Sequence, residues 1–69
     1  MVIEQSINTE FIKLESLLKL TAVCSSGGEA KMVIQDEMIS VNGGICTQRG
    51  KKIRSGDLVE FQDTQIRVV

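Results

Sequence analysis

The chain has no histidine, proline, tryptophan or tyrosine, and only two cysteines and two phenylalanines among 69 residues. Without histidine it lacks the commonest general base at neutral pH, so catalysis has little to start from. Cys24 and Cys46 stand far apart with no CxxC spacing, and without histidine they are poor material for a zinc site. They read as small, partly buried thiols of a reducing compartment. No apolar run approaches the roughly 18 residues of a membrane span. The opening "MVIEQSINTE" carries acids where a secretion signal needs a basic region and a long apolar stretch. These absences point to a cytoplasmic protein that is not an enzyme and needs no metal or cofactor. No proline, repeat or low-complexity linker divides the sequence, and residues 1–69 read as a single domain.

What is present is unevenly spread. Eight Lys and Arg face nine Asp and Glu, a net charge of −1. Residues 1–46 carry −3 and residues 57–69 carry −2, whereas residues 47–56, "TQRGKKIRSG", carry four cations and no acid. Soluble proteins ordinarily intersperse the two signs on their surfaces. A local field of this kind, rather than the total charge, selects partners. Gly50 and Gly56 would let the backbone turn tightly and approach a phosphate, so Arg49, Lys51, Lys52 and Arg54 read as a phosphate-facing patch.

The hydrophobic period changes along the chain. "LESLLKLTA" places Leu14, Leu17, Leu18 and Ala22 on one helical face, with Glu15 and Lys19 as an i, i+4 pair on the other. In "SSGGEAK", Ser26 followed by Glu29 fits a capping box that opens a second helix. Ala30, Val33 and Ile34 form its apolar face, and it ends near Asp36 and Glu37. From there the period is 2. Ile39 and Val41 precede Asn42-Gly43, the strongest short hairpin signal, and Ile45 follows it. Ser55-Gly56-Asp57 reads as a turn into a strand with Leu58, Val59 and Phe61; "TQIRVV" alternates again, and "VIEQSIN" fits an edge strand. The order gives an α+β domain with two short helices packed on a small antiparallel or mixed sheet. Leu14, Leu17, Leu18, Val33, Ile34, Ile39, Val41, Leu58 and Val59 form the expected core, and Phe11 and Phe61 read as buried.

The pieces "KLESLLKL", "SGGEAK", "ISVNG", "RGKK" and "SGD" in this order resemble the ribosomal-protein S-four type RNA-binding domain, or alpha-L motif. The likeness is closest to its short stand-alone YaaA/YbcJ-like group and covers about residues 13–61. Two positions depart from the broad pattern: Gly27 stands where Arg often follows the serine, and Glu37 where glycine ends the second helix. The resemblance implies binding of structured RNA, with ribosomal or transfer RNA as the usual class and a ribosomal particle as one setting. Its expected contacts are Lys13, Lys19, Ser26, Gly27, Gly28, Lys31, Arg49, Lys51, Lys52 and Arg54. A helix N-terminus at residues 26–28 offers free amides to phosphate. With no aromatic platform free to stack bases, recognition is expected by shape and charge. The alternative is a protein-interaction module in which the basic loop and a sheet edge meet an acidic partner. A monomer fits the size and the polar helix faces.

Overall fold

In the computed structural model, which describes all residues from Met1 to Val69, the change of period divides a helical half from a sheet. The elements are β1 (Val2–Gln5), β2 (Ile12–Lys13), α1 (Leu14–Leu20), α2 (Gly27–Gln35), β3 (Ile39–Val41), β4 (Gly44–Ile45), β5 (Lys52–Ile53), β6 (Leu58–Phe61) and β7 (Thr64–Val68). Five strands form one mixed sheet in the order β1-β7-β6-β3-β4, and β2 pairs with β5 in a separate ribbon. Only β1 and β7 run parallel in the large sheet. This is the expected α+β arrangement of two short helices on a small mixed sheet, with β1 on its edge.

Both helices bury one stripe, as their periodicity requires. Leu14, Leu17 and Leu18 of α1 meet Ala30, Val33 and Ile34 of α2, and Ile39, Val59, Ile66 and Val68 close the cluster from the sheet. Ile53 is also fully buried in it, a core residue that the surrounding cations mask in the sequence. Val41, Leu58 and Phe61 are half-buried rather than central, because they stand at the ends of their strands. The pair Glu15–Lys19 does not close. The single ion pair in the molecule is Arg67–Glu4 at 3.9 Å, between exposed register partners on β7 and β1, and such surface pairs contribute about 0–1 kcal/mol.

The turns follow local chemistry. Asn42 and Gly43, with φ of 51° and 88°, join register partners Val41 and Gly44 in a two-residue hairpin, the geometry that Asn-Gly favours. Helix α1 stops at Leu20, two residues short of its apolar pattern, because Thr21 caps it and Ala22 turns left-handed at φ 62°. Helix α2 ends in a Schellman motif: the Glu37 amide donates to the Ile34 carbonyl and the Met38 amide to that of Val33. Glu37 therefore occupies the left-handed position, φ 61°, where a non-glycine residue costs about 1 kcal/mol.

Candidate nucleic-acid interface

The basic stretch is fastened to the start of α1. Ile53 anchors β5 in the core, and β5 pairs with β2 so that Ile12 lies opposite Ile53 and Lys13 opposite Lys52. The Leu14 amide donates to the Lys51 carbonyl at 2.9 Å, and the Glu15 amide to the Arg49 carbonyl at 3.2 Å. First-turn amides of a helix have no partner within it; here the basic loop supplies their acceptors. Lys13, the N-cap residue, makes no side-chain cap bond.

Alternation along these two short strands sorts their side chains. Ile12 and Ile53 point inward, which leaves Lys13 of β2 and Lys52 of β5, with the flanking Phe11 and Arg54, on the outer face. The Lys52 Nζ stands 5.0 Å, and the Arg54 Cζ 5.9 Å, from the centroid of the Phe11 ring, within cation–π range. Phe11 is thus half-buried beneath two cations, not the core residue that its apolar character suggests. No carboxylate lies within ion-pair distance of Lys13, Arg49, Lys51, Lys52 or Arg54, since the molecule's one ion pair involves none of them. Like charges directly opposite on paired strands oppose folding. Lys13 and Lys52 therefore hold a positive field in place at some expense to stability.

One acid sits close by, and it is engaged. The Asp57 carboxylate accepts from the Arg54 amide at 2.8 Å and from the Asn42 side chain at 3.0 Å. The Asn42 carbonyl oxygen, Oδ1, in turn accepts from the Leu58 amide at 2.9 Å. This clasp ties the Asn42-Gly43 turn to the Arg54–Asp57 turn. The Arg54 amide, then the Asn42 side chain, hold the Asp57 carboxyl below its usual range, with Lys51 and Arg54 adding smaller charge effects. A lowered folded-state pKa means the carboxylate stabilises the fold at pH values above the ordinary carboxylate value of about 4. That contribution fades as pH falls through the lower folded value. Asp57→Ala is expected to lower stability at pH 7 by about 1–2 kcal/mol. It should also flatten the loss of stability below about pH 4, as denaturant midpoints measured from pH 3 to pH 7 would reveal; parallel acid profiles for both proteins would refute the clasp.

Between the β3–β4 hairpin and the basic loop lies an open groove of about 570 Å³, lined by Asn42, Ile45, Gln48, Lys51, Lys52 and Arg54 among others. The remaining expected contacts lie outside it. Ser26 caps α2, its Oγ accepting from the Glu29 amide at 3.1 Å. Glu29 reaches back to the Ser25 amide, one residue before the cap. Gly27 and Gly28 form the first turn, and Lys31 and Lys19 are exposed without an acidic partner. No hydrogen bond or ion pair joins Ser26, Gly27, Gly28 or Lys31 to the basic loop, and Lys19 lies a helix length, about 9 Å, from Lys13. The fold thus gathers Lys13, Lys51, Lys52 and Arg54, with Arg49 on the adjoining turn. Phe11 and Asp57 organise that group, and neither stands out as a site residue in the sequence; the alternation of "FIK" and "KIR" is the available signal.

The thiols do not form a second centre. Burial, then the Glu29 carboxylate, push the Cys24 thiol up, against the thiolate that a nucleophile requires. Cys46 is half-buried, its Sγ 3.8 Å from the Gln48 carbonyl.

A family model described as "S4 domain" matches residues 5–69, from the end of β1 through β7. The chain is 42% identical over 57 residues to the "Probable ribosome maturation protein RlbA" of Bacillus subtilis (strain 168), a match covering 83% of this chain and 80% of that protein. It is 34% identical over 58 residues to the "Putative RNA-binding protein YbcJ" of Escherichia coli (strain K12), covering 84% and 83% respectively. The matched family region contains both helices, the β2–β5 ribbon and the whole basic loop, and the chain belongs to the S4 domain family.

Proposed function

We propose that the protein is a non-catalytic module that binds structured RNA by its phosphates, with ribosomal RNA or an assembling ribosomal particle as its target. The observation that carries this reading is the unneutralised group Lys13, Arg49, Lys51, Lys52 and Arg54, built on paired strands that place two lysines opposite each other. Binding a polyanion to such an arrangement relieves the like-charge repulsion and releases the polyanion's counterions. Membership of the S4 domain family, and the ribosome-maturation and RNA-binding names of its relatives, fit that polyanion to RNA. The N-terminus of α2, with Ser26, Gly27, Gly28 and Lys31, together with Lys19, forms a second and weaker set of contacts. Glu29 in that first turn repels phosphate and keeps the contribution small. No helix is long and apolar enough to cross a membrane, and the setting proposed is the cytoplasm, with the protein acting as a monomer.

The test is a fluorescence-anisotropy titration of a folded ribosomal RNA fragment and a matched DNA duplex across a salt series. Each phosphate neutralised contributes about 0.7–0.9 to the log-log slope, so a slope of roughly −3 to −5 is expected. The folded RNA should bind more tightly than the duplex DNA. Weak binding to both, with a flat slope, would instead assign the cluster to an acidic protein partner.

A further inference from the structure

A surface that meets phosphates alone needs only a convex or flat field of cations. This chain has in addition a groove, and the groove is not lined by charge only. Ile45, on the outermost strand β4, is 62% exposed and, alone among the exposed large aliphatic side chains, lines this groove. Beside it stand Thr47 and Gln48, whose side-chain hydroxyl and amide are not engaged within the chain. Lys51, Lys52 and Arg54 also line the groove. Asp57 and Asn42 lie in the groove too; the clasp engages both Asp57 carboxylate oxygens, and the one negative charge is outnumbered by the three cations of the lining. The volume of about 570 Å³ falls within the roughly 300–1,000 Å³ of sites that enclose a small ligand.

One occupant matches this lining. A nucleotide outside a helix presents an apolar base face, a polar base edge and a phosphate, and structured RNAs offer such nucleotides at bulges and loops. We infer that the groove receives one unpaired nucleotide of the bound RNA. Its base lies on Ile45 and meets Gln48 and Thr47 at its edge, and its phosphates meet Lys51, Lys52 and Arg54. The inference rests on the RNA-binding reading and narrows the target to helices interrupted by an unpaired base. It also supplies limited base contact without an aromatic platform.

The experiment uses one RNA stem in three forms: fully paired, with a single-nucleotide bulge, and with that bulge made abasic. The bulged stem is expected to bind about tenfold more tightly than the paired stem, the scale of covering one aliphatic side chain. The abasic form should lose the gain. Ile45→Ser should bring the bulged stem to the affinity of the paired one and leave the paired stem unchanged, whereas Ile45→Leu should keep the preference. Because Ile45 is exposed, both variants should melt with the parent. Equal affinity for bulged and paired stems, or for bulged and abasic stems, overturns the groove as a nucleotide site and leaves the phosphate reading standing. Binding to none of the three overturns both.

Discussion

Lys51→Glu combined with Lys52→Glu is expected to abolish RNA binding while the fold persists. Both side chains are exposed and free of acidic partners, so neither supports the core. The double change takes residues 47–56 from a charge of +4 to zero and sets two carboxylates where phosphates would lie. Two counterion-releasing contacts vanish and two repulsive ones replace them. A loss of at least about 100-fold at low salt follows, with a shallower salt slope for whatever binding remains. Stability should barely change. A carboxylate at position 52 would lie opposite Lys13 and turn a like-charge pair into an attractive one, a gain of about 0.2–1 kcal/mol. The lost cation–π contact over Phe11 removes a similar amount. Matching circular dichroism spectra and melting curves, beside anisotropy titrations, would check both halves; retained affinity would remove the patch from consideration.

Ile53→Ala should act through the core and reach the same loop. Ile53 is fully buried, and truncating such a side chain costs about 2–5 kcal/mol. A domain of this length holds about 3–10 kcal/mol in all, at roughly 0.05–0.15 per residue. Much of the molecule's stability therefore depends on one residue in the middle of the basic stretch. Its loss should also free β5 from β2, since that ribbon has two residue pairs and no other strand neighbour. Urea denaturation should show a much lower midpoint. Hydrogen exchange should show the Leu14 and Glu15 amides losing protection before those of β6, because their acceptors belong to the released loop. An unchanged midpoint would mean that Ile53 is not the anchor.

Features set by neighbours along the chain are legible without the fold. Asn42-Gly43 specifies its hairpin, Ser26 its helix cap, and the spacing of Leu14, Leu17 and Leu18 the stripe that α1 buries. The family pattern is carried by pieces of that local kind. The cations of the candidate site are legible too, because charge clustering needs no structure to be counted. Their arrangement is not. Two strands of two residues, β2 and β5, give no recognisable period, so the apposition of Lys13 with Lys52 stays hidden. Phe11 reads as a core residue because composition alone does not distinguish a ring under leucines from a ring under cations. The Asn42–Asp57 bond joins residues 15 positions apart, and a turn propensity at each end says nothing of a bond between them.

The parallel pairing of β1 with β7 sets a timetable for folding. Val2 meets Gln65 and Gln5 meets Val68, so the sheet cannot close until residues 65–68 are present. The β3, β6 and β7 strands pair antiparallel through shorter connections and can assemble first, whereas β1 must close the longest loop in the molecule. At about 5–20 residues per second of synthesis, β1 waits on the order of 3–13 s for its partner strand. Over that interval Ile3 and Ile7, which later pack against the core, have no sheet to cover them. The N-terminal strand is consequently the segment most open to wrong pairing in the newborn chain, and the last to gain protection in the finished one.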